Sequence, residues 1–278
     1  MTTLQRSTTG PGYLTVAVMQ STGQVGAIST NLEHVATRAR EAAHRGAGVL
    51  VTPELFTAGY APELVHTTDG EAQREQLAAI AAASGLALVA STVEHENGRH
   101  YITASLFSRN GKELTRYRKQ HLFGPAEKTY FTPGTDAPEL LDHAGVITAL
   151  GICFDVEFPE FVRATAVAGT QLLCVPTAVP LRAPSPATAN PFDTRLIPSM
   201  VVPTRALESQ MYIAYANHAG PHFAGLSTIA DPYGYKLATA ADADELLMAT
   251  ISLDTLDRAR ADTDYLSRFT ATTDRGTP

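Results

Sequence analysis

Residues 146–178 read VITALGICFDVEFPEFVRATAVAGTQLLCVPTA. Two apolar runs of strand length, VITALGIC (146–153) and QLLCVPTA (171–178), flank a helix-forming stretch, EFVRATAVAG (160–169), that stops at a glycine. Strand, helix and strand in that order predict a sheet whose face is covered by a helix. The same alternation recurs upstream. LTVAVMQS (14–21) is a β-rich run. STNLEHVATRAREAAHRGAG (29–48) opens on Ser/Thr/Asn cap candidates, carries Leu32, Val35 and Ala39 at helical spacing, and closes on glycines. GVLVTPEL (48–55) is a buried strand, EAQREQLAAIAAASG (71–85) a helix stopped by glycine, and LALVAST (86–92) a strand. The rhythm then changes. YITASLFS (101–108), the Asn-Gly turn RNGK (109–112) and KELTRYRK (112–119) predict a hairpin. Downstream, RLIPSMVVPTRALESQ (195–210) predicts a helix. MYIAYAN, AGLSTIADPYG and ELLMATISL predict strands, and a short helix near 253–267 closes the chain.

No fixed-period repeat or low-complexity linker divides the sequence. The expectation is one α/β domain over residues 13–267, with 1–12 and 268–278 as flexible termini. The proline-rich stretch 180–194, PLRAPSPATANPFDT, predicts a long loop, and such loops in compact domains are often functional.

Composition narrows the function. The chain has 278 residues, 44% hydrophobic and 18% charged, which suits a globular enzyme with a sizeable core. A net charge of −7 disfavours a nucleic-acid partner, and the densest basic run is only RYRK at 116–119. Two cysteines, Cys153 and Cys174, make no disulfide framework and fit a reducing, cytoplasmic setting. The polar N-terminus lacks the apolar core of a signal peptide, and no run is long enough to cross a membrane. Walker and G-x-G-x-x-G loops, H-E-x-x-H and G-x-S-x-G are absent. His218 and His222 lie in a Gly- and Pro-containing loop without clustered acids, so no metal site is expected, and no motif signals an organic cofactor.

Reactive side chains instead stand at strand ends, where open α/β sheets place their chemistry. VLVTPE delivers Glu54, LTRYRK delivers Lys119, and ITALGIC delivers Cys153. A thiol needs a base, and a carboxylate whose pKa is raised by burial can serve. A fixed cation, and the free N–H of Phe154 after the nucleophile, can hold a developing oxyanion. Cys174, mid-strand in QLLCVPTA, has no such setting and is expected to be core. Alone, each residue has an ordinary structural explanation; together they form a coherent set.

Their contexts carry a resemblance. VTPELFTAGY, YRKQHLFGPAEKTYFTPG and GICFDVEFPE resemble the three signature blocks of the nitrilase superfamily of carbon–nitrogen hydrolases. Order and separation also fit, with 65 residues from Glu54 to Lys119 and 34 more to Cys153. VPTRALESQMYIAYANHAG and GLSTIADPYG are similar to the family's later strands. The resemblance implies a four-layer α-β-β-α sandwich that dimerises to an eight-layer assembly. It implies Glu54 as general base, Cys153 as nucleophile, and Lys119 with the Phe154 N–H around the oxyanion. Glu127, eight residues after Lys119, matches a second family glutamate that orients the lysine or the substrate amide. The implied reaction is hydrolysis of a small-molecule amide to an acid and ammonia through a thioester, by a homodimer or higher homo-oligomer.

Flanking residues refine the branch. True nitrilases usually carry Cys-Trp-Glu; this chain has Cys153-Phe154-Asp155 and no tryptophan, which is closer to amidases. An N-carbamoyl amino acid hydrolase, a nitrilase and a catalytically silent relative stay open as alternatives. Arg182 and Arg195 would serve a carbamoylase by holding a substrate carboxylate. Tyr60, Phe123, Phe131 and Phe192 are candidate pocket walls, and Thr177, at the end of the QLLCVPTA strand, is a candidate substrate contact. Asp155, Glu157 and Glu160 are expected to serve helix-start and turn chemistry rather than catalysis. Two departures from the family are the proline- and alanine-rich loop and a tail lacking the usual Arg-Arg-Pro.

Overall fold

The structure is a computed structural model that describes residues 12–184 and 192–267. The expectations for both termini, and for residues 185–191 of the proline-rich loop, fall outside these residues.

Twelve strands form two six-stranded sheets among the described residues. The first contains β1 (Tyr13–Gln20), β2 (Val49–Val51), β3 (Ala87–Glu96), β4 (Arg99–Phe107), β5 (Glu113–Arg118) and β12 (Glu245–Ser252), in the order β12-β1-β2-β3-β4-β5. The second contains β6 (Leu141–His143), β7 (Val146–Leu150), β8 (Leu172–Pro176), β9 (Tyr212–Ala216), β10 (Thr228–Ala230) and β11 (Lys236–Thr239), in the order β11-β10-β9-β8-β7-β6. Each sheet has three parallel central strands, β1-β2-β3 or β7-β8-β9, bordered by antiparallel ones.

Burial on both faces explains the near-continuous apolar strands. In β1, Leu14, Val16 and Val18 point into the core between the sheets, while Ala17 and Met19 point to the opposite face. That face is covered by α1 (Ile28–His44) through Val35, Ala39 and Ala42, and by α3 (Gly70–Ser84) through Leu77 and Ala81. The second sheet is covered by α5 (Pro159–Ala168) and α6 (Val202–Ser209), whose Val162, Ala166, Val202 and Ala206 join the main core. The result is the expected α-β-β-α order. Short helices α2 (Pro62–Val65) and α4 (Gly124–Tyr130), the closing α7 (Leu253–Asp262), a 3₁₀ turn (Cys153–Glu157) and a π-helical turn (Ile197–Val201) are the remaining described elements.

Local chemistry sets the ends. Asp69 caps α3 by accepting from the N–H groups of Glu71 and Ala72, and Gly85, at φ 62°, ends it in the left-handed conformation. Gly169 does the same for α5. One hairpin is longer than its apolar pattern predicts: β3 continues to Glu96 and turns through Asn97 and Gly98, both at positive φ, into β4. Its tip carries Glu94, His95 and Glu96, which are half-buried or exposed, so the apolar signal stops at Val93 although the ladder does not. Strands β6 and β11 were also missed by pattern, being short edge strands with little buried surface.

Candidate active site

Three strand ends converge where the sheets face each other. Glu54 follows β2, Lys119 follows β5, and Cys153 opens the 3₁₀ turn Cys153–Glu157 after β7. The Glu54 N–H donates to the Thr177 carbonyl at 3.2 Å, tying the base's loop to the second sheet. His218 Nε2–H donates to the Glu54 carbonyl at 2.7 Å. Burial pushes His218 down to about 4, so this ring is a neutral brace. It stacks on Phe223, with ring centroids 4.6 Å apart.

Glu54, Lys119 and Glu127 are buried side by side. Lys119 Nζ donates to Glu54 Oε1 at 2.7 Å and to Glu127 Oε1 at 2.8 Å, and none of the three side chains is exposed. Glu127 is held further by the Tyr60 hydroxyl at 2.6 Å on Oε1 and by the Phe123 N–H at 2.8 Å on Oε2. Three ions out of water persist only when paired and hydrogen-bonded, as here. Burial works against the Lys119 charge, but Glu127 and Glu54 outweigh it and raise its pKa well above the ordinary value. Burial pushes Glu54 up to about 7; Lys119 opposes that rise and the Glu127 charge adds to it. Glu54 Oε2 accepts no hydrogen bond. One carboxylate oxygen is thus committed to lysine and the other is open.

Cys153 is also buried, and desolvation raises its pKa well above the ordinary thiol value; Glu54 pushes the same way and Lys119 the other. At rest it is therefore a thiol beside the Glu54 charge. Its φ of 45° places a non-glycine residue in the left-handed region, which costs on the order of 1 kcal/mol and aims the side chain out of the turn. Leu55, next to the base, has φ 49°. As second residue of a 3₁₀ turn, Phe154 has no carbonyl within the helix to take its N–H.

Asp155 holds this turn, and sequence reasoning undervalued it. It is fully buried. Its Oδ2 accepts from the Ile152 N–H at 3.1 Å and the Tyr117 hydroxyl at 2.9 Å. Its Oδ1 accepts from the His121 N–H at 2.9 Å and sits 2.8 Å from His121 Nδ1. Tyr117 and His121 bracket Lys119, so one carboxylate locks the lysine's strand end to the nucleophile's turn. The expectation of turn chemistry holds for the Ile152 contact, but the partners on the other sheet are invisible to it. Asp155→Ala should lower stability by about 3 kcal/mol or more, because buried donors on two sheets lose their acceptor. Urea denaturation checks this.

Cys153 lines a small cavity of about 120 Å³ with Phe123, Phe154, Phe192, Ile197 and Glu157. Arg182 also borders it, with its guanidinium carbon 5.3 Å from the centre of the Phe123 ring. Other expected contacts lie elsewhere. Tyr60 stands behind Glu127 rather than on this wall. Phe131 is in the main core. Thr177 is fully buried: its hydroxyl donates to Val175 O at 3.0 Å and its carbonyl takes the Glu54 N–H, so Ala178 reaches the cavity instead. Arg195 does not line it. Cys174 is buried in β8 with its thiol pushed up to about 12, as core packing predicts. Among the described residues, no group of three or more His, Cys, Asp or Glu could hold a metal ion.

Known proteins are similar to this chain in sequence and in structure. The carbon-nitrogen hydrolase family model matches residues 15–261. A protein named "Hydrolase in pqqF 5'region" from Pseudomonas protegens is 33% identical, over 94% of this chain and 90% of its own. The omega-amidase NIT2 of Mus musculus is 31% identical, over 84% of this chain and 86% of its own. An amidase from Nesterenkonia sp. superposes with a TM-score of 0.81 at 35% identity, covering 92% of this chain and 97% of that one. A mutant of that amidase carries the acetamide moiety of fluoroacetamide on its active-site cysteine; it gives a TM-score of 0.81 at 34% identity, over 93% and 98% of the chains. Superposition, matched length and identity together place the chain: it belongs to the carbon-nitrogen hydrolase family, in the amidase-like branch of the nitrilase superfamily.

Proposed function

We propose that this chain hydrolyses small carboxamides to carboxylic acid and ammonia through a thioester on Cys153. The observation that carries this reading is the buried Glu54–Lys119–Glu127 network, whose one open carboxylate oxygen belongs to Glu54, the acid whose charge bears on the Cys153 thiol.

Sγ attacks the amide carbon while Glu54 Oε2 takes the thiol proton. The carbonyl electrons move onto oxygen. Lys119 has three donors, two of them used by Glu54 and Glu127, so the third is free for that oxyanion beside the Phe154 N–H. Glu54 then passes its proton to nitrogen as the carbon–nitrogen bond breaks, and ammonia leaves. Water attacks the thioester while Glu54 takes one of its protons. When the second intermediate collapses, the carbon–sulfur bond breaks and the proton returns to sulfur. A base poised near neutrality suits both half-reactions. Tyr60 and Phe123, holding Glu127, are positioning residues in this scheme.

Because Glu54 must start ionised and burial raises its pKa to about 7, kcat/KM should fall as pH drops through that region. A pH–rate profile between pH 5 and 9 checks the limb, and Glu54→Gln should remove it with a loss on the order of 10³-fold.

The direct test is a panel of aliphatic amides, ω-amides, N-carbamoyl amino acids and nitriles, with ammonia and carbon dioxide both measured. Intact-mass detection of an acylated protein would identify the thioester. Ammonia released from amides without carbon dioxide supports this reading; carbon dioxide from the carbamoyl compounds, or activity confined to nitriles, replaces it. We also expect a homodimer. Val167 on α5, Met200 in the helical turn leading into α6, and Leu207 on α6 are exposed apolar residues on the helical side of the second sheet, and light scattering tests whether they pair.

A further inference from the structure

Glu157 is the only acid lining the Cys153 cavity among the described residues, and its side chain has no role in the scheme above. It ends the 3₁₀ turn just before α5 yet caps nothing. Only its backbone carbonyl is engaged, by Arg205 Nη2 at 2.8 Å. The carboxylate accepts no hydrogen bond from any described residue; Lys119 and Arg205 reach it only through their charge. Burial pushes it up to about 7 despite those two cations. Around it the wall is aromatic and aliphatic: Phe123, Phe154, Phe192 and Ile197. A half-buried acceptor in an apolar cavity is complementary to a charged donor on the ligand, and hostile to a second carboxylate.

We propose that Glu157 makes the site selective for short carboxamides whose acyl chain carries a protonated amine, against those whose acyl chain ends in a carboxylate. The proposal rests on the amidase reading for its reaction, but not for its binding. Arg182 is the opposing charge on this wall. It is exposed and hydrated, so its pull on a substrate carboxylate is screened, whereas Glu157 acts from inside the cavity. The volume of about 120 Å³ limits the acyl chain to a few heavy atoms.

Three amides of similar length separate the cases: β-alaninamide, its neutral isostere butyramide, and succinamate. Wild-type kcat/KM should favour β-alaninamide over butyramide by about tenfold or more, with succinamate about tenfold below butyramide. In Glu157→Gln the ratios should shrink to about threefold or less. Ratios are internal, so they remain readable if the variant loses part of its total activity. Calorimetry on Cys153→Ala, with and without Glu157→Gln, reads the same order as Kd without turnover. Equal ratios in wild type and Glu157→Gln, or a wild-type preference for succinamate, overturn the proposal. Ammonia from all three amides without this order sinks the selectivity and leaves hydrolysis standing. Glu157-dependent binding of β-alaninamide with no ammonia from any amide does the reverse.

Discussion

Lys119→Met should melt on the order of 10 °C below the wild type near pH 8, and should lose at least about 10³-fold in ammonia release. The side chain keeps its length, so the loss comes from charge rather than from a cavity. Removing the cation leaves Glu54 and Glu127 as fully buried carboxylates with no counter-ion, a defect that costs about 3–5 kcal/mol. The pH dependence distinguishes this cause from a packing fault. Without lysine, both carboxyl groups bind protons more tightly in the folded chain than in the unfolded one. A raised folded pKa means stability present below the unfolded pKa and lost as pH rises through the folded one. The gap between variant and wild type should therefore narrow as pH falls from 8 toward 5. Thermal melts across that range read it directly, and a gap that does not change with pH would show that Lys119 holds the site by packing alone.

Cys153→Ala should lose at least about 10⁴-fold in turnover while still binding amide. The oxyanion donors and Glu54 remain, and water could in principle attack directly. That route must activate a weaker nucleophile with no place to hold it, against an amide whose leaving group is poor. The thiol divides one hard displacement into two easier ones, and the left-handed turn at 153 is where the chain accepts strain to present it. Alanine at φ 45° meets the same strain, so the turn should survive the substitution. Ammonia release within tenfold of the wild type would remove Cys153 from the mechanism.

The fold was legible because its central strands are apolar on both faces and its helices end on Asp69, Gly85 and Gly169, which announce themselves locally. Glu54, Lys119 and Cys153 stood out because strand ends carried three different reactive groups, and the structure brings them together with Glu127. What escaped notice depends on partners remote in the chain. Asp155 meets Tyr117 and His121, 38 and 34 residues away, and His218 meets Glu54 across 164. No window of sequence contains both ends of such a bond. Thr177 was misplaced by parity: adjacent residues leaving a strand face opposite ways, and only the partner sheet decides that Ala178 meets the cavity. Glu157 looks like a helix-start acid until its lack of any N–H partner is seen.

The proposed machinery is divided between the sheets: Glu54, Lys119 and Glu127 come from the first, Cys153 from the second. Cutting the backbone in the stretch 135–140, between β5 and β6, would put base and nucleophile on separate polypeptides. Each fragment would be inert, yet they would not be strangers. The C-terminal piece carries β12, which zips along β1 of the N-terminal piece over eight residue pairs, Tyr13–Gln20 against Ser252–Glu245. Reunion would switch ammonia release back on. The scaffold thereby lends itself to a two-part reporter, in which a chemical signal counts how many halves have found each other.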